Sequence, residues 1–346
     1  MIIEPHRSVA EIEIGPKRPL SASFSLAPQS RDFSDSAARV GANLTFVSER
    51  PGDLPRRPAR LANRTEVVVA GCRSPVIEAG PPEATEAAVF VHGNPGPGSH
   101  FRDLIRRVGE LARAVTVDLP GFGKADKPND FDYSIQGYAK HLKGVIDQLG
   151  IRRVHLISHD FGGPFAMQWA VDNPNSVASF CFIGTGLLEG YRWHYLARIW
   201  RTPILGDLFM LGASRAAFRL LLNRDNGQPL PNEFINTIWD NFDLGTRRAV
   251  LRLYRNTDLV TMSERLAAGL KGADLPALVI WGRHDPYIPV RFAEAQRRIF
   301  PRAKVVILEN SGHWPFVDDP TGVAAELLPF LRQNLLHPEL ESETAP

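Results

Sequence analysis

The chain of 346 residues has only two cysteines, Cys72 and Cys181, so no disulfide framework can staple it. Cys181 lies in the apolar run "VASFCFIGTG" and reads as a buried strand residue. Charge of one sign is also missing: 40 basic against 38 acidic residues leave a net charge of +2. Such a balance excludes a strong field for steering nucleic acid or an anionic membrane surface. No apolar run approaches the roughly 20 residues that span a bilayer as a helix. The opening "MIIEPHRSVAEIEIGPKRPL" mixes charge and proline into its apolar residues and lacks the apolar stretch of a signal peptide. No zinc-finger or phosphate-cradling loop is present. "HLISH" offers two histidines four apart, but a strand would hold them far from each other, so no metal site is expected. These absences leave a cytoplasmic protein with no cofactor and no nucleic-acid or membrane partner as the expectation; oligomeric state stays open.

What is present is a large apolar share, 44%, enough for one big domain or a domain with an insert. Residues 1–62 stand apart: "RPLSASFSLAPQSRDFSDS" and "ERPGDLPRRPARLANR" are rich in Pro, Ser, Arg and Asp and show no sustained periodicity. They read as a largely disordered extension, with short strands conceivable at "EIEI" or "NLTFV".

From residue 63 the pattern changes. "TEVVVAG" and "SPVIEAG" alternate like antiparallel strands, and "AAVFVHG", "AVTVDLPG", "VHLISHD" and "VASFCFIGTG" read as strands buried on both faces. Helical segments separate them: "FRDLIRRVGELAR", "IQGYAKHLKGVIDQLG" and "GPFAMQWAVDNP". Residues 63–186 are thus the first part of an α/β domain with a mostly parallel central sheet and helices on both faces. Residues 187–270 are helical and aromatic-rich, an insert placed to form a lid. Strand–helix alternation returns over 271–336 with "ALVIWGRHDPYIP", "KVVILENSGHWPF" and a closing helix, and 337–346 form a flexible tail. Open α/β sheets bind ligands at the carboxyl ends of their strands.

Three polar residues fall there. Asp160 follows "VHLIS", Asp285 follows "ALVIW" and His313 follows "KVVIL". Around Asp160 the stretch Ser158-His159-Asp160-Phe161-Gly162 has small residues on both sides of its centre, as a strained strand-to-helix turn requires. Centring the turn on Ser158 instead would put Leu156 and Asp160 at the small positions, which fails. Asp160 could otherwise be a helix N-cap, Asp285 a turn residue before Pro286, and His313 a surface loop histidine. Read together, a carboxylate nucleophile suits displacement at saturated carbon with formation of an alkyl-enzyme ester. His313, oriented by Asp285, would activate water to hydrolyse it. Backbone N–H groups of Asn94 and Phe161 are the natural oxyanion donors. His92 and His159 read as structural.

The signatures "HGNP" (92–95), "DLPGFGKADKP" (118–128), "HDFGG" (159–163), "GRHDPYIP" (282–289) and "SGHWPF" (311–316), each after a strand and in this order, resemble the α/β-hydrolase branch of haloalkane dehalogenases and epoxide hydrolases. The resemblance spans residues 65–335 and implies the α/β-hydrolase fold, a triad at Asp160, His313 and Asp285, a lid over a dry pocket, no cofactor, and a small apolar organic substrate with water. For carbon–halide hydrolysis it implies a halide donor in the Asn94 side chain. The second donor of that branch, a tryptophan after the nucleophile, is Phe161 here, leaving Trp193, Trp200 or Trp239 to substitute. For epoxide opening it implies a proton-donating tyrosine, and "LYRNTD" resembles the segment that carries it at Tyr254. A buried-face packing role for Tyr254 fits its periodicity equally well. Tyr191 and Tyr195 lie near the region of a second lid tyrosine, neither in clear register. Epoxide hydrolysis is the favoured expectation, dehalogenation the alternative; an ester or carbon–carbon-bond hydrolase with aspartate for serine, or an idle apolar-ligand-binding member of the fold, are further alternatives.

Overall fold

A computed structural model describes residues 62–336. Most of the expected extension, with its two conceivable strands, and the tail from 337 lie outside the described residues. The chain opens with two antiparallel strands, β1 (Ala62–Val69) and β2 (Cys72–Ala79), joined by a tight turn at Ala70 and Gly71, both at positive φ. Then come β3 (Glu86–Val91), α1 (Arg102–Val108), β4 (Arg113–Val117), α2 (Ile135–Gln148), β5 (Arg153–His159), α3 (Gly162–Asp172) and β6 (Val177–Ile183). Six helices follow without an intervening strand: α4 (Tyr195–Arg201), α5 (Leu205–Leu211), α6 (Arg215–Asn226), α7 (Asn232–Asp240), α8 (Leu244–Asn256) and α9 (Leu259–Leu270). The closing part is β7 (Ala277–Gly282), α10 (Arg291–Ala295), β8 (Lys304–Leu308), α11 (Pro315–Asp318) and α12 (Pro320–Asn334).

The eight strands form one sheet in the order β1-β2-β4-β3-β5-β6-β7-β8, antiparallel as far as β4 and parallel from β4 onward. Helices cover both faces, so β4, β6 and β7 are buried throughout, and β3 and β5 all but their first residues; their side chains are mostly apolar on both sides, with buried polar groups such as Arg113, His155 and Ser179 among them. β2 alternates buried with half-buried residues over most of its length. Chain order reverses at β3, so the loops leaving β3 and β5 diverge at the carboxyl edge and open a crevice there. α1 is shorter than the segment expected to be helical. It stops at Gly109, where a Cβ would come within 2.6 Å of the Ala79 side chain.

Candidate active site

The turn after β5 is built as its sequence requires. Asp160 sits at φ +52, a left-handed conformation that costs energy for a side chain other than glycine or asparagine and persists only under external constraint. The constraints are visible. A Cβ on Gly162 would lie 2.0 Å from the Val91 carbonyl oxygen, and one on Gly163 would lie 2.2 Å from Thr185 Oγ1. Thr185 Oγ1 donates to the Asp160 carbonyl at 2.6 Å, holding the turn from the β6 side. The N-cap of α3 is Phe161 and carries no side-chain cap bond, so Asp160 does not serve as one. Ser158 is fully buried, and its Oγ has no hydrogen-bond partner among the described residues.

The carboxylate of Asp160 is presented to two sets of groups. Its Oδ1 accepts the Asn94 N–H at 2.7 Å, and the Phe161 N–H adds a favourable electrostatic contribution to the carboxylate. Its Oδ2 lies 3.6 Å from His313 Nε2, an ion-pair distance longer than a hydrogen bond. His313 Nδ1 donates to Asp285 Oδ2 at 2.8 Å. The other oxygen of Asp285, Oδ1, accepts the N–H groups of Tyr287 (2.8 Å) and Ile288 (2.9 Å), which fixes the carboxylate in its loop. All three side chains are buried.

Their electrostatics are coupled. Burial alone would raise Asp160, but the facing His313 and the Phe161 N–H outweigh it and hold the carboxyl below its ordinary range. For His313 burial opposes the cation, yet Asp285 and Asp160 together lift it from 6.5 to about 10. The resting arrangement is therefore a cation between two carboxylates. Neighbouring His159 is pushed to about 4 by burial and by His313, and hydrogen-bonds through Nε2 with the His313 carbonyl at 2.8 Å. It supports the loop as a neutral ring. His92 is likewise structural: its Nε2 accepts the Leu119 N–H at 2.9 Å.

Two small cavities of about 50 and 30 Å³ meet at this carboxylate, and Asp160, His194, Tyr254 and Tyr287 line both. The larger continues between aliphatic residues such as Leu196, Leu222 and Val250; the smaller continues past Phe161, Trp193 and Met262. Tyr254 of α8 is buried in a ring cage, with centroids of Phe161 at 4.9, Trp200 at 4.9 and Trp193 at 5.2 Å. Its hydroxyl faces Asn94 Nδ2 at 3.4 Å and His194 Nε2 at 3.5 Å, both long contacts. His194 caps α4 by accepting the Ala197 N–H on Nδ1 at 3.3 Å, which leaves the ring proton on Nε2. Burial pushes His194 to about 4, so it is neutral. Both neighbours then donate to the Tyr254 oxygen, and the phenolic hydrogen is left for another acceptor. Burial, and after it the charge of Asp160, hold the Tyr254 hydroxyl well above its usual pKa, so it is protonated.

The remaining residues singled out from the sequence are dispersed. Tyr191 lines the smaller cavity, but its hydroxyl donates to the Tyr287 carbonyl at 2.9 Å. Tyr195 is partly exposed and donates to Asp225. Trp193 lines the smaller cavity and Trp200 the larger, and the buried indole N–H of Trp200 has no partner among the described residues. Trp239 packs on Phe218 and Phe242. His194, Tyr287 and Trp314 also line the site. Sequence reasoning missed them as site residues, although Tyr287 and Trp314 sat inside the quoted "GRHDPYIP" and "SGHWPF".

The fold that carries this site has counterparts. The family model for the alpha/beta hydrolase fold matches residues 88–320, and the chain belongs to that family. It is a hydrolase of the α/β-hydrolase fold. A curated relative, the 2-hydroxy-6-oxononadienedioate/2-hydroxy-6-oxononatrienedioate hydrolase of Cupriavidus pinatubonensis, is 30% identical over 247 residues, covering 66% of this chain and 81% of the relative. Among solved structures, haloalkane dehalogenase DbeA from Bradyrhizobium elkani superposes with a TM-score of 0.70 at 22% identity, over 78% of this chain and 98% of that one. Epoxide hydrolase CorEH does so at 0.67 and 21% identity, over 78% and 99%.

Proposed function

We propose that the protein hydrolyses small apolar epoxides through an ester on Asp160. The observation that carries this reading is the caged Tyr254 hydroxyl in the same cavity as a carboxylate whose Oδ1 is already taken by the Asn94 N–H. Oδ2 is then the attacking oxygen. It forms a bond to a ring carbon, the carbon–oxygen bond breaks, and its electron pair stays on the ring oxygen, which takes the Tyr254 proton. Asn94 and His194 stabilise the phenolate left behind.

Esterification removes the negative charge of Asp160. With it goes one of the groups that keep His313 protonated, so the imidazole gives up its proton, which neutralises the Tyr254 phenolate, and becomes a base. It then takes a proton from water, and the hydroxide adds to the ester carbon. The negative charge on the former Oδ1 meets the Asn94 and Phe161 N–H groups. Collapse breaks the ester carbon–oxygen bond, the leaving alkoxide takes the proton of the hydroxyl that was added, and the diol departs, leaving Asp160 ionised and His313 protonated as at rest. Asp285 keeps the Nδ1–H in place throughout. The inserted helices over residues 187–270 act as the lid that keeps this cavity apolar.

The supporting experiment is Tyr254→Phe. Epoxide opening should fall by ~10²-fold or more, with the fold retained. Full turnover by this variant would remove the reading.

A second reading, carbon–halide hydrolysis, has one observation in its favour: Trp200, whose indole N–H has no partner among the described residues, lines the larger cavity together with Asn94. It would stand if Tyr254→Phe left bromoalkane hydrolysis untouched and Trp200→Phe abolished it.

A further inference from the structure

The last turn of α6 reaches the loop that carries His313. Asn226 is fully buried, and its Oδ1 accepts the His313 backbone N–H at 3.0 Å. Its Nδ2 donates to Asp318 at 3.0 Å and to the Gln228 carbonyl at 3.3 Å. Asp318 in turn accepts the Gly312 N–H at 2.8 Å, so one ring of bonds encloses Gly312 and His313. The fit leaves no room for a side chain at Gly312, where a Cβ would lie 2.3 Å from the Asn226 carbonyl oxygen.

The residue before it grips the other loop. Asp225 accepts the Tyr287 hydroxyl at 3.2 Å, and the backbone N–H of Tyr287 is one of the two that hold Asp285. The Tyr287 ring lies edge-on to His313 with centroids 5.0 Å apart. Two consecutive residues of an inserted helix therefore hold the histidine loop and the acid loop at once. Nothing in the chemistry of the sheet requires this, because β7 and β8 already pair in register up to Gly282 and Leu308.

From this we infer that Asn226 is a positioning residue, with Asp225 beside it, coupling the seating of the inserted helices to the alignment of His313. The inference rests on the proposed role of His313 in ester hydrolysis. When α6 lifts, the His313 N–H and the Gly312 loop lose their partners, and water activation stops. Ester formation needs only Asp160 and Tyr254 and continues. Hydrolysis is thereby tied to the closed site, where water is limited to the molecule that reacts.

The test uses the full chain with Asn226→Ala, and with Asn226→Asp combined with Asp318→Asn, which restores the bond between the two side chains with donor and acceptor reversed, keeps an acceptor for the His313 and Gly312 N–H groups, and gives up only the bond to the Gln228 carbonyl. The first readout is the low-field proton resonance of His313 Nδ1–H in the resting protein, assigned by its loss in His313→Gln. It should broaden or vanish in Asn226→Ala and return in the exchanged pair. The second is intact mass during turnover of styrene oxide: Asn226→Ala should form ester at the parent rate and hydrolyse it ~10²-fold more slowly, so that the adduct accumulates. An unchanged resonance, or equal slowing of both steps, would overturn the inference. Should Asn226→Ala fail to fold, Asn226→Asp alone is compared with the exchanged pair: a merely space-filling asparagine predicts full hydrolysis in both, whereas the positioning role predicts slowed hydrolysis in the first and recovery in the second. If His313→Gln forms no ester with any probe, the proposed chemistry fails, while the resonance still decides the positioning role.

Discussion

Replacing Asp285 by asparagine changes one atom, yet the structure predicts a specific chemical failure. Asp285 Oδ1 accepts two backbone N–H groups, at 2.8 and 2.9 Å, while Oδ2 faces His313 Nδ1 alone. An amide placed there must choose which end faces the two donors. Turning its NH2 toward them would leave two buried donors unpaired, at about 1–3 kcal/mol each, so the amide oxygen takes that place. The NH2 then points at His313 Nδ1 and donates to it. The imidazole is forced to carry its proton on Nε2, the nitrogen that must accept from water. A comparable tautomer error in a serine–histidine–aspartate site lowers kcat by ~10⁴-fold, and a similar loss is expected here in ester hydrolysis. Attack by Asp160 is spared, because the Asn94 N–H on its Oδ1 and Tyr254 are untouched. Rapid mixing of the variant with styrene oxide, acid quenching and intact mass measurement should show near-stoichiometric adduct within the first turnover and no further product. Steady turnover within about tenfold of the parent, without adduct, would refute the reasoning.

Two further outcomes follow from buried charge. His313 is raised in the fold from 6.5 to about 10, so its contribution to stability is complete below pH 6.5 and is lost as pH rises through about 10. The gap in unfolding free energy between the parent and His313→Gln should therefore shrink across that window, by on the order of 3–5 kcal/mol, in urea titrations at stepped pH; a constant gap would contradict the assignment. Arg113 and Glu78 form a buried pair at 2.6 Å, with Arg113 also donating to the Ala84 and Leu149 carbonyls. Glu78→Ala strands that guanidinium and should cost ~3–5 kcal/mol; a loss below about 1 kcal/mol would show that water reaches it.

What could be read from the sequence followed from local constraint. Continuous β-branched runs mark strands covered on both faces, and parallel strands bring their carboxyl ends to one edge whatever lies between them. Asp160, Asp285 and His313 could therefore be gathered without knowing the helices. The turn at Asp160 was legible because the Val91 carbonyl and Thr185 tolerate only glycine at 162 and 163. Tyr254 was half legible: α8 buries it by helical spacing, and the same burial places its hydroxyl at the site, so packing and chemistry gave one signal. His194 carried none, because a histidine in "YRWHYLAR" becomes a site residue only through the path of the loop entering α4. Asn226 before Gly227 reads as an ordinary helix end, and its partners lie 87 and 92 residues away. Tyr191 and Tyr195 differ by one helical turn in sequence but end up on opposite duties, one tied to Tyr287 and one to Asp225.

The most direct test of the account is the intact mass of purified His313→Gln after incubation with propylene oxide, styrene oxide and propyl bromide in separate tubes. With the base removed, an adduct equal to the whole mass of the epoxide is expected, located on Asp160 by peptide mapping, and none from the bromide. An adduct lacking the halogen would transfer the chemistry to carbon–halide bonds. A folded protein that gains no mass from any of the three, or gains it elsewhere than Asp160, would contradict the central claim.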